Sequence, residues 1–246
     1  MSSQVHIGTS GWNYKVWKEG FYQGVRQKDW LSHYASVFNA VEVNATFYRL
    51  LKETTVEGWH EKTPEGFTFA VKGSRYISHT KKLKPGPESV AKQRDNLEAI
   101  KDKLRVVLWQ LPSSLNFDPD LLPFFAEKLK DWSGVDHVLE FRDESWFCDE
   151  TSRALNDLGL GTCISDAGKW PRWDEVSADL VYIRLHGRPE TYSSNYSDEE
   201  IGQWADWLQS HRDAGRSVYV FFDNTDAGAA VDNARKMQEM MGESEE

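Results

Sequence analysis

Cysteine is scarce in this chain: Cys148 and Cys163 are the only two among 246 residues. Two thiols are too few for a disulfide framework or a zinc ribbon, so both are expected as reduced thiols. Long apolar runs are missing as well. Nothing approaches the ~20 consecutive apolar residues of a membrane helix, and no membrane association is expected. Met1–His6 carries no charged-then-apolar leader pattern, which makes the cytoplasm the expected location. Positive charge is outnumbered, with 29 Lys and Arg against 39 Asp and Glu and a net charge of −10. A globally acidic surface repels nucleic acid at long range, which counts against non-specific DNA binding but not against a local basic site. P-loop, Rossmann glycine fingerprint and Cys-x-x-Cys are all absent. No Pro/Gly/Ser-rich linker interrupts the chain, so residues 1–246 are read as one domain and one monomer. Gly242–Glu246 is expected as a flexible acidic tail.

Eight short apolar or β-branched runs are present. They are Val5–Ser10, Ala40–Phe47, Phe67–Lys72, Arg105–Leu111, His137–Arg142, Gly161–Asp166, Leu180–His186 and Ser217–Asp223. Between most of them the apolar period changes to 3.6 residues. The stripes are Leu31/Tyr34/Ala35/Phe38, Val90/Leu97/Ile100/Leu104, Leu121/Leu122/Phe125/Leu129, Ile201/Trp204/Ala205/Leu208 and Ala230/Ala234/Met237/Met241. Ser197 with Glu200 forms a capping box before the fourth stripe. Gly168–Ser177 shows no such period and is read as loop. Eight alternating units close most economically into a single α/β barrel of the (β/α)8 TIM-like type, and ~200–250 residues suit that fold.

In such a barrel the outward parity of each strand packs on helices and is apolar; polar residues of the other parity point inward. That rule sends Glu42, Asn44 and Thr46 inward from the second strand, Glu140 and Arg142 from the fifth, and Tyr182, Arg184 and His186 from the seventh. It also assigns Ser10, Lys72, Gln110, Asp166 and Asp223 to the interior. These groups gather at the C-terminal strand ends, where barrel enzymes keep their active sites. Three cations (Lys72, Arg142, Arg184) then face four anions (Glu42, Glu140, Asp166, Asp223). A purely structural ion-pair network is the plain alternative, although buried networks rarely add net stability.

The motifs Gly8-Thr9-Ser10-Gly11-Trp12-Asn13-Tyr14, Val41–Tyr48, Phe69-Ala70-Val71-Lys72, Ile77-Ser78-His79, Gln110-Leu111-Pro112, Glu140-Phe141-Arg142 with Ser145-Trp146, Arg184–Arg188 and Tyr219–Asn224 resemble, in this order, those of the YecE-like family, the domain of unknown function numbered seventy-two. The resemblance spans nearly the whole chain. It implies a TIM barrel distantly similar in shape to endonuclease-IV and xylose-isomerase barrels, and it names no substrate. One departure is Asp223, where the family commonly has Asn.

Three chemistries suit the inward set. A metal would have to use His186, Glu42, Glu140 and Asp166 with His79, beside the repelling Arg142 and Arg184, so no metal is assigned. Glu42 and Glu140, three strands apart, form a candidate glycosidase pair, with Trp12 and Trp146 as sugar platforms. The favoured reading is a small anionic, phosphate-bearing ligand: a nucleotide, nucleic acid or sugar phosphate. Arg142, Arg184, Lys72 and Arg188 would hold the anion. Trp12, Tyr48 and Trp146 would stack on it, with Asn44, His79, Gln110 and Asn224 completing the lining. Glu140, His186 or Glu42 would act as acid and base in a reaction of hydrolase or lyase class. A non-catalytic ligand-binding or regulatory protein is the alternative. The loop Asn224–Gly228 is a candidate phosphate seat, with Asp226 as candidate helix cap. Lys72 is also weighed as a Schiff-base lysine, with neighbouring carboxylates expected to raise its pKa. No cofactor is expected.

Overall fold

The computed structural model describes residues 5–226 and 228–242. The first four residues, Ala227 and residues 243–246 of the expected tail Gly242–Glu246 lie outside the described residues. Eight parallel strands follow one another around a sheet: β1 (Val5–Thr9), β2 (Ala40–Val43), β3 (Thr68–Lys72), β4 (Leu104–Gln110), β5 (Asp136–Glu140), β6 (Gly161–Ala167), β7 (Leu180–Gly187) and β8 (Ser217–Phe222). From β2 to β8 each strand pairs with the next, β1 pairs with β8, and an isolated bridge between β1 and β2 closes the sheet into a (β/α)8 barrel.

The helices are α1 (Trp30–Ala35), α2 (Ala45–Tyr48), α3 (Glu53–Glu61), α4 (Ser89–Asn96), α5 (Leu121–Leu129), α6 (Asp149–Leu158), α7 (Asp198–Asp213) and α8 (Ala229–Met241). The capping box of Ser197 and Glu200 opens α7, and Gly168–Ser177 contains no helix. The apolar stripe read from Val90 to Leu104 divides: Leu104 is the first residue of β4. α3 and α6 escape the stripe pattern because only two residues of each are buried: Val56 and Trp59, and Thr151 and Leu155. No helix among the described residues is long and apolar enough to cross a membrane.

Parity divides the buried apolar residues into two clusters. Outward residues such as Ile7, Val41, Phe69, Val107, Leu139, Ile164, Ile183 and Val220 pack on the helices. Inward residues, including Ala40, Ala70, Leu108, Val138, Cys163, Tyr182, Tyr219 and Phe221, fill the barrel. The inner cluster plugs the lower barrel, with His6 stacked on Tyr219 at 4.7 Å. Above that plug the inward positions turn polar.

The β1–β2 joint is closed differently from the others. A single parallel bridge, Ser10 to Glu42, joins the two strands. Side chains supply the remaining bonds: Asn39 Oδ1 accepts from Ile7 N–H (3.0 Å), and its Nδ2 donates to Val5 C=O (2.8 Å). The buried Tyr34 hydroxyl accepts from Thr9 N–H (2.7 Å) and donates to Ala40 C=O (3.0 Å). The strands approach so closely that a Cβ on Gly8 would sit 2.0 Å from the Ala40 oxygen. Only glycine fits there without backbone displacement. We predict that Gly8→Ala lowers stability by about 3 kcal/mol in urea unfolding, and that Tyr34→Phe lowers it by ~1–3 kcal/mol by orphaning the Thr9 amide.

Candidate functional site

Ser10, Glu42, Lys72, Glu140, Arg142, Arg184, His186 and Asp223 all stand in the C-terminal halves of their strands or just beyond them. Arg184 lies at their centre, fully within the barrel at 2% exposure. Its Nε donates to both Glu42 oxygens (3.1 and 2.9 Å) and its Nη2 to Glu42 Oε1 (2.7 Å) and Asp223 Oδ2 (3.0 Å). Nη1 donates to Glu140 Oε2 at 3.2 Å. Glu42 is further held by the Tyr182 hydroxyl (2.7 Å) and the Ser10 hydroxyl (2.5 Å). Ser10 in turn accepts from Asn44 Nδ2 at 2.6 Å. Donors from Ser10, Tyr182 and Arg184 thus converge on the Glu42 carboxylate, which fixes the direction of the chain from Asn44 through Ser10.

His186 completes this layer. Burial first, and the Arg184 charge second, lower its pKa, and Asp223 opposes them only in part. The imidazole is therefore neutral at pH 7. Nε2 lies 3.1 Å from Arg184 Nη1, which can only donate, so Nε2 accepts. The ring proton is then on Nδ1, 2.9 Å from Asp223 Oδ2. Burial alone would raise the Glu140 carboxyl. The guanidinium groups of Arg142 and Arg184 overturn that and hold it at about 2. Arg142 forms an ion pair with Glu140 and lies over the Trp170 ring, 3.5 Å from its centroid.

Above this layer opens a cavity of about 590 Å³. Its floor is Arg184 and Asp223; its walls include Tyr14, Asn44, Tyr48, Lys72, His79, Gln110, Ser113, Arg142, Trp170 and Tyr192. Two of its cations are not fully matched. Arg142 Nε and Nη1 are buried without a hydrogen-bond partner. Lys72 Nζ sits over the Phe47 ring at 4.7 Å, and among the described residues no carboxylate pairs with it. Burial lowers the Lys72 pKa to about 8, helped by Arg184. The expected rise from Glu140 and Glu42 is present but smaller than burial, so that expectation is corrected. The side-chain amide oxygen of Asn44, Oδ1, is also buried and unpartnered.

Of the candidates named from sequence, Asn44, Tyr48, Lys72, His79, Gln110, Arg142 and Arg184 line this cavity. Glu42, Glu140 and His186 do not. Each is 0% exposed and bound to Arg184, and His186 is covered by the wall residues Trp170 and Tyr192 at 5.0 and 5.6 Å. Trp146 is also 0% exposed: it stacks on Phe141 at 5.0 Å, and its indole N–H donates to Leu115 C=O (2.7 Å), making it core. Trp12 lies edge-on to Trp59 at 5.5 Å in a neighbouring cleft that shares Asn44 and Tyr14 with the cavity. Asn224 is buried, its amide donating to Ser194 C=O (3.0 Å) and Asn233 Oδ1 (2.9 Å).

Asp166 corrects the parity reading. Cys163, one of the inner cluster, sets the inward parity of β6, so Asp166 faces out. There it accepts from Arg188 (2.6 Å), Arg172 (3.1 Å) and the Tyr196 hydroxyl (2.7 Å). Arg188 is thereby drawn away from the mouth, into a separate cleft beside α7. Thr46 also leaves the strand: β2 ends at Val43, and the Thr46 hydroxyl in α2 lies 2.7 Å from Lys72 C=O. The described residues of the loop 224–228 do not line the cavity, and the residue capping α8 is Gly228 rather than Asp226. Trp170 went unrecognised as a site residue because the segment after β6 has no period to orient it. Among the described residues, no three His, Cys, Asp or Glu side chains are grouped so as to hold a metal ion.

Residues 6–246 match the family described as "Protein of unknown function DUF72". The chain belongs to the DUF72 family. This is the YecE-like resemblance met in the sequence. The chain is similar to the UPF0759 protein YunF of Bacillus subtilis (strain 168), 24% identical over 276 residues and spanning 96% of this chain and 94% of that protein. It is also similar to a DUF72 family protein of Thermotoga maritima MSB8, with 27% identity and a TM-score of 0.83 over 97% of this chain and 99% of that one. A DUF72 family protein of Enterococcus faecalis V583 has the same fold at 19% identity, with a TM-score of 0.82 over 99% and 97% of the two chains.

With Asp166 removed from the interior, three cations face three carboxylates, and this DUF72 site is balanced only with Asp223 in place. Removing Arg184 would leave Glu42 and Asp223 without their cation. We predict that Arg184→Met destabilises the fold by ~3–5 kcal/mol in chemical denaturation. The pH dependence follows from Glu140. Its folded pKa of about 2 lies below the unfolded value, so its contribution is present above pH ~4.5 and lost as pH falls toward 2. Glu140→Gln is expected to flatten that acid limb in urea titrations from pH 6 to 3.

Proposed function

We propose that this DUF72 barrel binds a small anionic ligand, phosphate-bearing in the favoured case, in the cavity above Arg184. The observation that carries the reading is Arg142: two of its N–H groups are buried, without partners, on the wall of an open cavity. A buried donor left unsatisfied costs ~1–3 kcal/mol, and an oxyanion repays that with charge-assisted bonds. Lys72 adds a second cation on the same cavity wall, with no carboxylate paired to it among the described residues. Tyr48, 74% exposed, with Trp170 and Tyr192 gives the organic part of the ligand aromatic faces to pack on.

Glycoside hydrolysis fits less well, since Glu42 and Glu140 are both engaged by Arg184. A reaction of lyase class asks less of those carboxylates, and Lys72 is the group best placed to serve it. A non-catalytic binding protein would use the same contacts and show retention without turnover. Two unpaired cysteines accord with a reducing, cytoplasmic setting.

Calorimetric titration with inorganic phosphate and with glucose 6-phosphate at low salt tests the reading. Arg142→Gln is expected to weaken binding at least tenfold. Asp223→Asn, which removes one negative charge from the floor, is expected to tighten it several-fold. Unchanged affinity in both variants would sink the proposal.

A further inference from the structure

Each inward arginine of the barrel mouth has a carboxylate: Arg184 has Glu42, Glu140 and Asp223, and Arg142 has Glu140. Lys72 differs. It stands at the last position of β3 with its backbone carbonyl fixed by Thr46 (2.7 Å) and Gln93 (3.4 Å). Its side chain lines the cavity, its ammonium group rests on an apolar ring, and no carboxylate pairs with it among the described residues.

We propose that Lys72 forms an imine with the carbonyl carbon of an aldehyde or ketone whose attached anionic group is held by Arg142. The anionic end of this substrate rests on the preceding reading; the amine chemistry rests on Lys72 alone. In the step, the Nζ lone pair forms a C–N bond as the carbonyl π bond breaks. A proton passes from nitrogen to oxygen to give the carbinolamine. The hydroxyl then leaves with the remaining nitrogen proton as water, and C=N forms. His79 lines the same cavity, and its pKa is lowered by burial and by Lys72, so it offers a neutral imidazole for these transfers.

Burial of Lys72 on the cavity wall favours a reactive amine. Burial and Arg184 of β7 lower its pKa, Glu140 of β5, Glu42 of β2 and Asp223 after β8 raise it, and the balance stands at about 8. At pH 7 roughly one molecule in ten then carries the free amine, against about one in 2,500 for an ordinary lysine near 10.4.

The test is reductive trapping. The protein is incubated at pH 7 with sodium cyanoborohydride and either glyoxylate, an anionic aldehyde, or glycolaldehyde, a neutral one, and adducts are located by peptide mass mapping. The expected result is labelling of Lys72 at least tenfold faster than of other lysines. Its rate should rise from pH 6.5 to about 8 and then level, while surface lysines keep accelerating. Lys72→Arg should remove this adduct with the circular dichroism spectrum unchanged. Arg142→Gln should slow glyoxylate at least fivefold and leave glycolaldehyde unaffected. Label spread over surface lysines without preference for Lys72 would overturn the imine proposal, whether or not phosphate binds. Labelling of Lys72 with no glyoxylate advantage and no effect of Arg142→Gln would leave the imine standing and overturn the anion reading.

Discussion

Burying a guanidinium group is the constraint from which the rest of this site follows. Arg184 is drawn into a layer with almost no solvent, and a charge so placed persists only if it is paired and its donors are used. Glu42, Glu140 and Asp223 provide the pairing, from three different strands or strand ends. Those carboxylates then need partners of their own, which brings in Ser10, Tyr182 and His186. The result is a rigid polar layer that separates an apolar plug from an open cavity. Such a layer contributes little net stability for its size. What it contributes is a fixed electrostatic floor, organised before any ligand arrives.

That floor assigns different work to residues that look alike in the sequence. Glu140 and Arg142 are two positions apart on one strand and share parity, yet Glu140 faces its two arginines while Arg142 keeps unpartnered N–H groups on the cavity wall. Lys72 and Arg184 are both inward cations; one lies on a phenyl ring and the other is saturated by carboxylates. The distinction is one of depth along the barrel axis. Parity says which way a side chain points and not how far below the rim it ends.

The same distinction explains how far the sequence could be read. The eight strands are legible because their outward faces are mostly apolar, and the two-residue period then locates Glu42, Lys72, Gln110, Glu140, Arg142, Arg184 and Asp223 on the inner side. Glu42, Glu140 and His186 read as reactive because full burial of an inward polar group has no signature in one chain. Asp166 was misplaced because β6 carries polar residues on both parities, Ser165 and Asp166, so alternation could not choose between them. Trp146 and Trp170 are both loop indoles; only the packing of Phe141 beneath one and of Arg142 beneath the other tells core from wall. Asn224 lies just past the end of β8, where strand parity no longer governs direction.

The joint between β1 and β2 gives the barrel an inhomogeneous hoop. Seven of its eight seams are backbone ladders that resist stretching through many parallel bonds. The eighth is tied by an asparagine, a tyrosine hydroxyl and one bridge. A ring under load dilates at its most compliant segment, so changes in circumference concentrate there. The residues facing one another across that bridge are Ser10 and Glu42. Any widening of the mouth is therefore transmitted directly to the carboxylate that clamps Arg184, which makes the diameter of the barrel and the electrostatics of its floor a single mechanical variable.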